Sequence, residues 1–352
     1  MDSVDDARIN LSTHEPMSAG LREKSDSHGQ GSSVVVTGAL GFIGVHLVQR
    51  LISEGFTVIG IDDWSSPSPR AGELIALDDF HLVEGDITDP ASLNAAYRLF
   101  RSDPVAIFHL ACPASPRDYL GHPVKTLLTS SEGTKNVAEI AAKSGACVVF
   151  TSTSEVYGDP SVHPQPESYW GNVNPNGPRS VYDEGKRYAE ALLTAYAQSG
   201  LDIRIARLFN CYGPGMRPND GRLVPTLMQA LIGGNPMTIH GDGTQMRSLC
   251  YVSDTVGGLM ALWRHGDGAP VNLGRAEELT ITEICQRAAR VVGAELAVEY
   301  APLPTDDPRR RCPGLTRARS LLAWQSETPF ETGVERTYAW FRSSLVNVAD
   351  GW

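Results

Sequence analysis

The chain has 352 residues, of which 41% are apolar and 20% charged, and its net charge is −11. That length accommodates one large α/β domain and a smaller appended one. The acidic balance argues against nucleic-acid or membrane-surface partners, which call for a concentrated basic footprint, and no apolar run reaches the roughly 18 residues of a membrane-spanning helix.

Residues 1–33 are rich in Ser, Asp, Glu, Lys and Gly. They lack the apolar run of a secretion signal and bury too little surface to fold alone, so a disordered leader is expected. Next, Val34-Val35-Val36 is a β-branched run leading into Thr37 and a glycine string, Gly38, Gly41 and Gly44. A helix is predicted behind the string, with Ile43, Leu47, Val48 and Leu51 on one face. A second strand, Val58 to Ile61, ends in Asp62-Asp63. Further apolar runs at 105–110, 147–151 and 203–208 alternate with helical patterns near 90–101, 123–143 and 180–198. Such alternation predicts a doubly wound, Rossmann-type parallel sheet covered on both faces. Beyond Asn210 the elements shorten, and Pro, Gly and charged residues become frequent. We therefore expect a nucleotide-binding domain over 34–210 plus 251–275, and a substrate-binding lobe over 211–250 plus 276–345.

The glycine string sits between a strand and a helix, with an acid at the end of the next strand. In that setting the first glycine permits a tight turn, the second lets backbone approach a pyrophosphate, and the third lets helix and strand pack. The helix N-terminus, at Phe42 and Ile43, offers free N–H groups to phosphate. Asp62, 18 residues past Gly44, suits the adenosine ribose hydroxyls, and no arginine follows it until Arg70; NAD is preferred over NADP. Asp86 and Ile87, in Gly85-Asp86-Ile87, are placed near the adenine.

Tyr182 and Lys186 are four residues apart in a predicted helix, hence on one face. A cation there is expected to draw the phenol pKa down toward neutrality. Such a tyrosine takes a proton from a sugar hydroxyl while hydride leaves for nicotinamide. Thr153 follows a buried strand and supplies a donor for the same oxygen. The cysteines (112, 147, 211, 250, 285 and 312) form no CxxC pair, which fits reduced thiols in a cytoplasmic protein, and the histidines do not cluster, so no metal is assigned.

Together these residues resemble the extended short-chain dehydrogenase/reductase family over roughly 34–343, and within it the UDP-glucuronate decarboxylases. The resemblance is carried by HLACPASP (109–116), STSEVYGDPSVHPQPESYWGNVNP (152–175), GPRSVYDEGKR (177–187), NDGR (219–222), YVSD (251–254) and PLPTDDPRRR (302–311). It implies that Leu110 and Ala111 line the cofactor, and that Pro113, Ser115, Asn210, Arg222 and Arg247 hold the substrate. It implies that Glu155 orders the sugar or a water at C5 and that Arg311 faces the substrate carboxylate, while Arg309 and Arg310 read as solvated. Ser154 is decisive: related 4,6-dehydratases have an aspartate there that helps expel the C6 hydroxyl. Homodimerisation through the helices near 123–143 and 180–198 is also implied. The sequence departs from the family at Gly215, usually arginine, with Arg217 two residues later, and at Ser130-Ser131, commonly Asn-Thr. Both changes bear on phosphate grip and on the choice of nucleotide. Other outcomes remain: a decarboxylase that stops at the 4-keto-pentose and releases NADH, a dehydratase or 4-epimerase, or a catalytically silent NAD-binding module.

Overall fold

A computed structural model of the chain describes residues 31–100 and 102–349; most of the expected leader lies outside them. Seven parallel strands form the central sheet: β1 (Ser33–Thr37), β2 (Thr57–Asp62), β3 (Phe80–Glu84), β4 (Ala106–His109), β5 (Cys147–Thr153), β6 (Ile203–Leu208) and β7 (Val271–Leu273). Their spatial order is β7-β6-β5-β4-β1-β2-β3. The order reverses between β1 and β4, where Val34 pairs with both Val58 and Ala106. A crevice opens at the carboxyl ends of strands at such a reversal, and the glycine string leaves β1 there.

Alternation along the strands sorts the core into two layers. Val34, Val36, Val58, Phe108 and Val149 face one side and pack with Val45, Leu47, Val48 and Leu51 of the helix Phe42–Ser53, and with Val256, Leu259 and Trp263 of the helix Val252–His265. Val35, Ile59, Ile61, Ile107, Val148 and Phe150 face the other side, against Val137 and Ala141 of the helix Thr134–Ser144 and Ala189 and Leu193 of the helix Ser180–Gln198. Leu315, Ala318, Leu322 and Trp324 return to the first layer late in the chain. A separate core gathers Val224, Leu227, Met228, Ile239, Ile284, Phe330 and Phe341 beside the crevice.

The expected parallel sheet is present, with two strands the pattern did not predict. β3 reads Phe-His-Leu-Val-Glu with only Phe80 fully buried, and β7 has three residues. Edge strands this short or this half-exposed carry little hydrophobic signal. The helical pattern near 123–143 divides into Pro123–Leu128, a π-turn at Thr129–Gly133, and Thr134–Ser144.

A buried ionic network fixes the helix Ser180–Gln198 against the sheet. Glu190 accepts from Ser152 of β5 and from Arg207 of β6 at 2.9 and 2.7 Å. Arg207 also donates to the Tyr157 hydroxyl at 3.0 Å, and that hydroxyl donates to Asn272 of β7 at 2.8 Å. Removing one partner of such a pair strands the other charge. Glu190→Ala should therefore cost about 3 kcal/mol, measured as a lowered urea midpoint; an unchanged midpoint would contradict the anchoring role.

Candidate active site

The turn after β1 provides a cradle for a diphosphate. Gly38 has φ +70°, and a Cβ there would stand 2.8 Å from the Ala111 nitrogen; one at Gly44 would stand 2.7 Å from the Ala39 carbonyl. Only hydrogen fits at either position. Gly41 caps the helix without a side-chain hydrogen bond, which leaves the first N–H groups free for an anion. Asp62, at the end of β2, accepts from Leu40 N at 3.0 Å and Trp64 N at 2.9 Å, tying the glycine turn to its neighbouring strand. Burial raises its pKa above the usual carboxylate value. Asp63 pairs with Lys125, whose Nζ is also 3.8 Å from Asp86. Asp86 accepts from Thr88 N and Oγ1, both at 2.9 Å, and Ile87 is packed in the core.

Beyond this cradle lies a cavity of about 800 Å³ between the sheet and the second lobe. It brings together Gly38, Gly41, Phe42, Ile43, Gly44, Leu110, Ser115, Thr153, Ser154, Glu155, Tyr182, Lys186, Asn210, Arg222, Arg247 and Arg311. Asp62, Asp86, Ile87, Ala111 and Pro113 do not line it. Ala111 donates its N–H to Thr37 Oγ1 at 3.2 Å, and Pro113 is buried. The sequence string therefore splits into a wall of the cavity and the strand ends around it.

Tyr182 and Thr153 are within hydrogen-bonding reach, and the Tyr119 ring stacks on Tyr182 with centroids 5.3 Å apart. The expected lowering of the Tyr182 pKa is overturned: the protein's own groups push it up, with burial the largest cause. Lys186 Nζ donates to the Thr151 carbonyl at 2.8 Å and lies 4.7 Å from the Phe150 ring centroid. Burial lowers its own pKa. Spacing placed the cation one turn from the phenol, but desolvation of the tyrosine outweighs that proximity. His109 is also buried, bridging Thr37 at 2.8 Å and Thr134 at 3.0 Å. Burial pushes it down to about 3, so it serves as a neutral cross-link beneath the cavity.

The opposite wall is ionic. Glu155, in the turn after β5, is held at 2.6 Å by Arg179 and paired with Arg311, whose Nη2 donates to the Gly158 carbonyl at 3.1 Å. Burial alone would raise the Glu155 pKa; the two guanidiniums outweigh it and hold the carboxyl down at about 2. Arg311 has 4% of its side chain exposed against 51% for Arg310, which separates it from its solvated neighbours. Arg247 pairs with Asp307 at 2.7 Å, Arg222 with Asp220 at 2.5 Å, and Asn210 accepts from Cys250 N at 2.8 Å through its carbonyl. Arg217 pairs with Asp118 and lies 3.5 Å from Ser115 Oγ, so the displaced arginine still reaches the cavity wall. Gly215 has φ +90°, and its carbonyl accepts from Ser68.

Residues 34–274 match the NAD dependent epimerase/dehydratase family. UDP-glucuronic acid decarboxylase 1 of Danio rerio is 40% identical over 90% of this chain and 74% of its own length. UDP-glucuronic acid decarboxylase 5 of Arabidopsis thaliana is 42% identical over 89% of this chain and 90% of its own. This chain belongs to the UDP-glucuronic acid decarboxylases of that family. Among solved structures, MoeE5 in complex with UDP-glucuronic acid and NAD superimposes with a TM-score of 0.76 at 28% identity, covering 89% of this chain and 100% of MoeE5.

For this member of the family, the sequence reading missed Arg179, Asp183 and Asp307. Arg179 and Asp183 lie inside the GPRSVYDEGKR string and Asp307 inside PLPTDDPRRR, but nothing in their spacing says that the three chain segments converge on Glu155. A buried acid with a depressed pKa stabilises the fold above its ordinary value of 4.5, and the contribution is lost as pH falls toward 2. Glu155→Gln should therefore lose less stability than the parent over that acid range. Parallel unfolding curves for the two proteins would contradict the ion-pair assignment.

Proposed function

We propose that this chain converts UDP-glucuronate to UDP-xylose by oxidation at C4, loss of carbon dioxide and re-reduction. One observation carries the reading: the Thr153–Tyr182 pair and the Glu155–Arg311 pair face one cavity, with a serine, Ser154, between them. The first pair suits a hydroxyl under oxidation, the second a carboxylate beside it, and Ser154 lacks the acid needed to expel a C6 hydroxyl.

The glycine cradle fits a dinucleotide diphosphate. Gly38, Gly41, Phe42, Ile43 and Gly44 would hold it, Asp62 and Asp86 would sit toward the adenosine end, and Leu110, Ala111, Tyr182 and Lys186 toward the nicotinamide. When bound, NAD supplies a hydride acceptor at C4, later the donor, and a positive ring that offsets the burial of a Tyr182 phenolate.

Tyr182 takes the proton of the C4 hydroxyl as the ketone forms, and Thr153 donates to the same oxygen. The ketone is β to the C6 carboxylate, so the C5–C6 bond breaks with its electron pair passing into the ring and carbon dioxide leaving. Thr153 and Tyr182 then stabilise the enolate oxygen as preorganised donors. Arg311 positions the carboxylate, for which a guanidinium fork is suited. Glu155 orders the sugar or the water that protonates C5. Arg247, Arg222, Asn210 and Ser115, which line the cavity, hold the nucleotide and sugar, and Pro113 is buried in the same segment as Ser115. The net change is the loss of one carbon dioxide with no net oxidation.

We further infer a homodimer in the cytoplasm. Leu120, Val124, Leu127, Leu128 and Tyr188 are 40–67% exposed on the helices about 116–128 and 180–198, an apolar face that a second copy would cover. All six cysteines are free, as suits a reducing compartment. Light scattering at micromolar concentration should give twice the chain mass; a monomer would contradict the dimer.

Incubation with UDP-glucuronate and NAD, read by mass spectrometry, should show loss of carbon dioxide and a fully reduced pentose product. Stoichiometric NADH release would overturn the re-reduction step, and intact substrate would overturn the whole reading. Tyr182→Phe should lower turnover by at least ~100-fold; near-normal turnover would remove the tyrosine from the proton step.

A further inference from the structure

The helix Ser180–Gln198 carries, next to Tyr182, a carboxylate that the mechanism above does not use. Asp183 is 6% exposed and its Oδ1 has no hydrogen-bond partner. One turn earlier, Arg179 keeps its Nε buried and equally without a partner, although its Nη2 holds Glu155 at 2.6 Å. An orphaned donor and an orphaned acceptor at i and i+4 are complementary neighbours on a helix face. Buried polar groups are rarely left unpaired, and where they are, the exception calls for a reason.

The reason lies in what Glu155 must do. With Arg179 and Arg311 both on it, the Glu155 carboxylate is not free to order the sugar or the water that protonates C5. An entering carboxylate competes for Arg311, but Arg179 would remain on Glu155 unless it had another anion to reach.

We propose that Arg179 is a two-position cation: it clamps Glu155 in the resting site and passes to Asp183 when the substrate carboxylate engages Arg311. Asp183 is thus a positioning residue, acting on Glu155 through Arg179. This rests on the decarboxylase reading of Glu155 and Arg311.

The surroundings of Asp183 set the direction of its pH dependence. Glu155 faces it from the turn after β5, Arg311 from the C-terminal segment, Tyr119 from the helix Pro116–Gly121, and Arg179 and Glu184 from its own helix. Burial first and Glu155 second raise its pKa to about 7 against the pull of Arg179 and Arg311. Above that pH Asp183 is charged and attracts Arg179; below it the neutral carboxyl does not. Turnover should fall as pH drops through neutrality. The same raised pKa makes the charged carboxyl a cost to stability on the alkaline side, so the device is maintained at the expense of the fold.

The test compares the parent protein, Asp183→Asn and Asp183→Glu, each with bound NAD and UDP-glucuronate, for kcat and KM across the neutral range and for thermal unfolding at alkaline pH. Asp183→Asn should lower kcat roughly ten- to a hundredfold, the range expected for loss of one hydrogen bond to a charged group, with KM little changed. Its acid limb should vanish, its melting temperature should equal or exceed the parent's, and Asp183→Glu should recover part of the rate. A purely structural role predicts a lowered melting temperature with the acid limb intact, and that result would overturn the proposal. So would parent-like kcat and pH profile in Asp183→Asn, and this would leave the decarboxylase reading standing. A parent protein that releases no carbon dioxide would remove both.

Discussion

Everything in this site is arranged around one carboxylate that is buried and charged. Glu155 could not stay ionised in such a place unaided, because desolvation penalises the anion. Arg179 and Arg311 hold it there, one from the start of a helix on the sheet and one from the C-terminal segment. The pairing therefore does structural and electrostatic work together. It ties the C-terminal segment at Arg311 to the turn after β5, and it sets two guanidiniums against the cavity where an acidic sugar is to bind. With Arg247 and Asp307 included, three cations face two ion-paired carboxylates, and Asp183 stands beside them as a third carboxyl.

The sheet supplies the complementary half. A reversal of strand order between β1 and β4 opens the crevice, the glycine turn presents backbone N–H groups to it, and β5 delivers Thr153 at its rim. The Glu190–Arg207 network and the Lys186 bond to the Thr151 carbonyl fix the register of the helix Ser180–Gln198, which holds Tyr182 beside Thr153 on the cavity wall. The phenol lines the cavity but is largely buried, and burial pushes its pKa up. A positive nicotinamide ring bound beside it would favour the phenolate against that burial.

What could be read from the sequence follows a physical division. Gly38, Gly41 and Gly44 were legible because a tight turn and close packing impose glycine at fixed local spacing. Tyr182 and Lys186 were legible because helix geometry places i and i+4 together. β1, β2, β4, β5 and β6 announced themselves as buried apolar runs, whereas β3 and β7 were hidden by length and exposure. The reading of the Tyr182 pKa failed because spacing reports proximity and says nothing of burial. Arg179, Asp183 and Asp307 were invisible as a group, since their meaning arises only when distant segments meet at Glu155. Ser154 and Arg311 were found through family resemblance, not through any local rule.

The account's central claim is that the hydrogen removed from C4 returns to the same sugar after the carboxyl group has gone. UDP-glucuronate deuterated at C4 tests it most directly, with the product's label followed by mass spectrometry and NMR. The account predicts UDP-xylose that retains deuterium at C4 and gains a solvent hydrogen at C5. A product that has lost the C4 label, or a label that leaves with free reduced nucleotide, would contradict it.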